Sequence, residues 1–329
     1  MMIETERLMQ QRIRYYIERL KELRPELTYI YNEVKPINER ECKENTFSVQ
    51  CMVSQFYLAI TNRLIQIISA IESVNPYSTL LTTRYVLELL VHLKFLEKDH
   101  NYIYCIHAEQ IKQHIEFIRK QIEKIKREIK VLEQLDETEH EIDNILMTLL
   151  EKLRKELDKS NELKGRVIHE LLSLLPRTFM KAVDRLAEKK FLLYSEDAKY
   201  MGYGFMAYLL QEKILPKYEE KLKELQNYKD KFYNYVKSIN IHLDSLCSNK
   251  NIPRSWSKKS DMVGLKEDYD IIYFYTSNIL HATPTSIMHE KILESAEVYM
   301  FVRYLYARIC DIIELIRNGI AKLKRGKAL

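Results

Sequence analysis

Tyr269, Tyr273, Ser277 and His281 recur at every fourth position in a largely apolar stretch that closes on Thr283-Pro284. On a helix of 3.6 residues per turn that spacing draws one polar stripe about 120° wide. The other positions include Ile271, Ile272, Phe274, Ile279 and Leu280, so the rod is expected to be buried on its remaining sides. A buried hydroxyl or imidazole without a hydrogen bond costs roughly 1–3 kcal/mol, so the stripe needs partners. A second stripe can supply them: Arg84, Glu88 and His92 are also four apart, in the apolar run Leu80 to Leu96.

An imidazole titrates near neutrality and a guanidinium matches a phosphate through paired donors. Joined in one site, the two stripes would suit metal-independent cleavage of RNA. His281 would act as general acid or base, Arg84 would steady the phosphate charge, and Glu88, Tyr273 and Ser277 would orient them. The same residues suit a sensor that binds a small anion or nucleotide without cleaving it. They also suit a helical adaptor, because an Arg and a Glu one turn apart on a buried helix pair with each other and fix its register. Glu88, His92 and His281 have few acidic companions, so neither a metal nor a cofactor is expected.

Other chemistries leave no trace. There is no G-x-S-x-G elbow and no phosphate-binding G-x-x-x-x-G-K-[ST], and His169-Glu170 and His289-Glu290 both lack the second histidine of a zinc protease. Gly202-x-Gly204-x-x-Ala207 resembles a dinucleotide fingerprint, yet no strand pattern precedes it. The 52 basic and 47 acidic residues leave a net charge of +5, which gives no global field for nucleic acid.

The elements that must position these residues read as helices. The chain has 329 residues, 46% hydrophobic and 30% charged, with only 6 glycines and 7 prolines to punctuate it. The periodicity predicts a helix from Thr5 to Leu23 ending near Pro25, a short one over Leu27–Val34, and a loop over Asn38–Asn45. A helix follows over Phe47–Ser73, and then the Arg84 helix. Ile111, Ile115, Ile118, Ile122, Ile125, Ile129 and Leu132 step by four and three, as in a coiled-coil seam. Asp136 with Glu139 fits a helix N-cap, after which Ile142, Leu146, Leu149, Leu153 and Leu157 form a second seam.

Further on, helical runs over Lys164–Leu175 and Thr178–Lys189 are separated by Pro176, and a long helix is expected over Pro216–Leu246. A loop over Ser248–Lys259 carries the sole tryptophan, Trp256, and the last helix is expected over Ser286–Leu323. The fold class is therefore all-α: a helical bundle with a projecting antiparallel coiled-coil hairpin. It divides into a core over 1–107, the hairpin over 108–160 and the rest of the core over 161–329. The hairpin is the place for RNA or a partner protein to bind, or for a homo-oligomer to form.

Cys42, Cys51, Cys105, Cys247 and Cys310 are odd in number and never in a C-x-x-C pair, which points to reduced thiols and a cytoplasmic location. The N-terminus has no signal-peptide core. Val298–Ile316 is interrupted by Arg303, Arg308, Asp311 and Glu314, so no membrane association is expected.

The order Arg84-x3-Glu88, long charged insertion, Trp256, then Tyr269-x3-Tyr273-x3-Ser277-x3-His281 and Thr283-Pro284 resembles a family of all-helical bacterial domains of unknown function. The resemblance runs from Phe47 to the C-terminal helix and brings no established activity. In broad outline such domains are similar to the HEPN superfamily of bacterial defence and toxin systems, whose Arg-x4-6-His motif cleaves RNA without metal. That likeness implies an RNase of defence or stress type. The chain departs from the motif, because seven residues separate Arg84 from His92 and no other arginine stands at the required spacing before a histidine.

Overall fold

A computed structural model describes residues 2–71, 75–157, 162–190, 192–248, 251–280 and 293–325. It is 89% helix, against a usual share of roughly a third, and has no strand among the described residues. In chain order the helices are α1 (Met2–Glu44), α2 (Val49–Ala70), α3 (Pro76–Lys98), α4 (Tyr102–Leu157), α5 (Glu162–Glu188), α6 (Ser195–Met201), α7 (Tyr203–Leu209), α8 (Leu215–Ser238), α9 (Leu243–Leu246), α10 (Trp256–Met262), α11 (Lys266–Leu280) and α12 (Ser295–Lys324), with a π-turn at Leu210–Ile214. Two compact units result. The first joins residues 1–109 to 231–329, and the second is the continuous stretch Gln110–Asp230, longer than the expected 108–160.

In the first unit α1, α2, α3 and α12 form a bundle, with α10 and α11 packed on α3. The buried face of α1 is Ile13, Ile17, Leu20, Leu23, Leu27, Ile30, Val34 and Ile37, a heptad-like series that crosses both Pro25 and Pro36. A proline inside a helix costs about 3 kcal/mol, and each fully buried Leu, Ile or Val returns about 1.5–3. Five such residues lie from Leu23 onward. One unbroken helix therefore replaces the break expected at Pro25. The loop expected over Asn38–Asn45 is also largely helix, because Asn38 turns inward and its amide donates to Ser54 Oγ at 3.0 Å.

Facing α1, α2 buries Val53, Tyr57, Ile60, Leu64 and Ile68, while α12 buries Val302, Leu305, Ile309, Ile312, Ile316 and Ile320. The two meet closely at Gly319, where an added Cβ would stand 2.1 Å from the Tyr57 hydroxyl. The helix expected from Ser286 starts at Ser295, behind a capping box of Glu294 and Glu297, and residues 286–292 lie outside the described set. The helix expected to reach Leu246 ends at Ser238. There Asn240 takes a left-handed φ of 60° and Ile241 N–H reaches Val236 O at 3.2 Å, the Schellman pattern of helix termination.

The second unit corrects the hairpin. Helix α4 runs without a turn through Asp136–Glu139, and α5 likewise runs through Pro176. Asp136 does cap a helix, but a distant one: its carboxylate accepts Gly204 N–H at 2.9 Å, at the start of α7. A Cβ on residue 204 would come within 2.6 Å of the carboxylate, so a larger residue there would push the Asp136 side chain off this contact. Two turns earlier Glu128, itself buried, accepts Tyr194 N–H at 2.9 Å at the N-cap of α6. The α4 seam Ile125, Ile129, Leu132 and Leu135 packs with Val183, Ala187, Ala198, Tyr203 and Met206 of α5 to α7.

The cysteine reading is also corrected. Cys42 and Cys51 form a disulfide joining α1 to α2, and Cys105 and Cys247 form another joining α4 to the end of α9, with Cα separations of 4.9 and 5.7 Å. Cys310 is the free thiol, half-buried, with burial raising its pKa. Spacing rules look for near neighbours, and these pairs are made by helices meeting in space. The cysteine argument for a cytoplasmic location therefore falls away. No helix among the described residues is long and apolar enough to cross a membrane.

Two outcomes follow. Gly319→Ala is expected to destabilise the protein by about 1–3 kcal/mol in denaturant titration, because the added Cβ would displace the buried Tyr57 ring, although alanine is ordinarily the better helix former. Thiol titration of the unreduced, denatured chain is expected to count one reactive cysteine, rising to five after reduction.

Candidate functional site

The polar stripe of α3 faces α10 and α11, so Arg84, Glu88 and Tyr273 do converge. Arg84 Nε donates to Glu88 Oε1 at 3.1 Å, with the two side chains 29% and 23% exposed. The guanidinium carbon of Arg84 lies 5.5 Å from the ring centroid of Tyr273, a cation–π contact between α3 and α11. Tyr273 in turn stacks on Tyr269 at 5.7 Å with the planes 20° apart. Burial raises the Tyr269 phenol pKa, Arg84 opposes the rise and Glu88 adds to it, so both charges reach this ring.

Arg84 is only partly used. Among the described residues no acceptor meets its two Nη groups, so a planar donor fork is braced by a carboxylate behind it and an aromatic ring beside it. An exposed pair would contribute about 0–1 kcal/mol. At roughly a quarter exposed, this one lies nearer that range than the 3–5 kcal/mol of a buried pair.

The third member of the α3 stripe sits in a different setting. His92 Nδ1 hydrogen-bonds the Tyr102 hydroxyl at 2.7 Å, and its ring lies edge-on to Trp256 at 5.2 Å and to Phe56 at 6.4 Å. Burial first, and then the Lys259 charge, lower its pKa to about 4. At neutral pH it is therefore uncharged and unable to act as an acid. Lys259 stands 4.7 Å from the Trp256 ring centroid, its pKa lowered by burial and partly restored by Glu109 and Glu88. Sequence reasoning missed Lys259 and Tyr102. The signal for the first was Trp256-x2-Lys259, one helical turn apart, but that segment read as a loop. No local pattern marks Tyr102.

Helix α11 is less enclosed than expected. Its inward positions are Tyr269, Ile272 and Thr276, whereas Ile271 and Tyr273 are exposed and Phe274 is 63% exposed. The polar ladder runs along the edge of the buried face instead of down its centre. The buried hydroxyl is that of Thr276, which donates to Ile272 O at 2.8 Å. Ser277 is half-buried one turn past Tyr273, without a hydrogen bond to Arg84 or Glu88. His281 lies outside the described residues.

Arg84, Glu88 and Tyr273 thus form one cluster of α3 and α11, and His92, Trp256 and Lys259 a second of α3 and α10, both within the first unit. No family model matches the chain, and neither a curated protein nor a solved structure matches it.

The His92 setting has a measurable pH signature. Between pH 6.5 and about 4 the unfolded chain takes up a proton that the folded chain refuses, so stability falls as pH falls through that window. At 1.36 kcal/mol per pKa unit the loss is up to about 3 kcal/mol, fully developed below the folded pKa. Replacing the imidazole by the non-titrating amide in His92→Gln should remove this component, seen as a flatter unfolding free energy against pH than in the parent.

Proposed function

We propose that this helical protein binds a small anionic ligand at the α3–α10–α11 face, a nucleotide being the class that would use both the arginine fork and the aromatic rings. The observation that carries this reading is Arg84, whose Nη groups have no protein acceptor among the described residues while Glu88 and Tyr273 fix its orientation. A guanidinium arranged in this way is preorganised for two parallel hydrogen bonds to a phosphate or carboxylate. The charge of Lys259 is felt by the same Glu88, and the Tyr273 ring, 47% exposed, leaves an aromatic edge open beside the fork.

Metal-independent RNA cleavage at the same face is the second reading. It is favoured by one observation: α11 brings Tyr273, two turns before His281 in sequence, to Arg84. In that case His281 supplies the proton transfer and Arg84 the charge stabilisation, with Glu88, Tyr273 and Ser277 orienting them. The adaptor reading leaves the Arg84 fork without a task.

Titration calorimetry with inorganic phosphate, adenosine monophosphate and guanosine monophosphate tests the proposal. Saturable binding is expected for at least one nucleotide, weakened about tenfold or more in Arg84→Lys, which keeps the charge and loses the fork. Absence of any binding at millimolar ligand sinks it. Incubation of a short RNA with the chain in a chelator separates the second reading, which requires cleavage by the parent and none by His281→Ala at unchanged melting temperature.

A further inference from the structure

The C-terminal half of α4 leaves one of its sides uncovered. Glu141, Asn144, Ile145, Thr148, Leu149 and Lys152 follow the three-and-four spacing of a single helical stripe, and all six are exposed. Ile145 is 61% exposed, while Leu146, one position on, is buried. The same turns therefore have a covered apolar side and an open one. Asn144, Ile145, Thr148, Leu149 and Lys152 line a shallow groove. Its one hydroxyl is already satisfied, since Thr148 Oγ1 donates to Asn144 O at 2.9 Å, so covering the stripe would leave no threonine donor stranded.

Charge selects what covers it. Before the apolar centre the stripe carries Glu137 and Glu141, and after it Lys152 and, on its two flanks, Lys155 and Glu156. A second α4 laid antiparallel, with a two-fold axis passing between residues 146 and 147, sets Glu141 against Lys152 of the second copy and Glu137 level with residue 156, one position from Lys155. Ile145, Thr148 and Leu149 of both copies then meet in the middle. A parallel pair would set acid on acid and base on base. A self-complementary patch of this kind is what a two-fold interface requires. The stripe of Val167, Leu171 and Leu174 on α5 is also exposed but has no such ordering of signs along it.

We infer that α4 is the pairing helix of a homodimer in which two copies meet antiparallel along residues 137–155. Sedimentation equilibrium on the full chain tests it. The parent is expected to sediment as a dimer at micromolar concentration. Glu141→Lys and Lys152→Glu should each raise the dimer Kd several-fold, because each places like charges together twice across the two-fold axis. The combined Glu141→Lys/Lys152→Glu chain should regain the parent Kd, since both copies then carry the exchanged signs; recovery in a self-pair is not expected of any other occupant. Ile145→Glu/Leu149→Glu should lose the dimer at unchanged helical dichroism. If that variant unfolds, the charge exchange decides alone. A monomeric parent, a dimer indifferent to the charge variants, or a combined variant as weak as the single ones overturns the inference.

Discussion

The burial of α3 is the constraint on which the first unit depends. Leu80, Val86, Leu87, Leu90, Val91, Leu93 and Leu96 are buried within one helix, so α12, α11 and α10 must all be placed against it. A helix covered on so many sides leaves few directions for a polar group. Arg84, Glu88 and His92 share one stripe because that is where the covering helices part, and they meet the aromatic edges of α10 and α11 there. Position along the stripe then sets chemistry. Arg84 keeps water access, while His92, two turns on among Tyr102, Trp256 and Phe56, gives up its proton.

Several buried threonines in the core are satisfied within their own helix, which lets those helices pack without matching partners. Thr61, Thr83 and Thr276 are buried, and each hydroxyl donates to the carbonyl four residues back, at 2.7, 2.7 and 2.8 Å. The second unit uses the opposite strategy. Glu128 and Asp136 on α4 reach across to backbone N–H groups at the starts of α6 and α7, where the helix dipole favours negative charge. The order of short helices over 195–209 is thereby tied to two carboxylates two turns apart on one long one.

Sequence periodicity was enough to give the all-helical class, the Ile111–Leu132 seam and the meeting of Arg84 with Tyr273. It was least reliable wherever a residue with a strong local preference was overruled from a distance. Pro25 and Pro36 forecast breaks that the buried stripe of α1 outweighs. Asn38 looks like a loop residue and is an inward-facing donor to α2. Asp136 has the local signature of a cap and performs that service for another helix, sixty-eight residues away. In the site, the four-residue ladder of α11 correctly marks one line on a helix but says nothing of which side is covered, so Phe274 and Ile271 were taken as core. Lys259 was hidden because its helix is a single short turn-rich element.

The bond between Cys105 and Cys247 has a topological consequence. It lies within the first unit, yet the chain it closes contains all of residues 110–230, so the second unit is strung on a covalent ring. By the chain-entropy relation, closing a ring with a sequence separation of 142 removes about 5 kcal/mol of disorder from the unfolded chain. A single peptide cleavage anywhere in the inserted stretch would open the ring without releasing either half of the bundle. The two halves would leave one another only in the presence of a reductant.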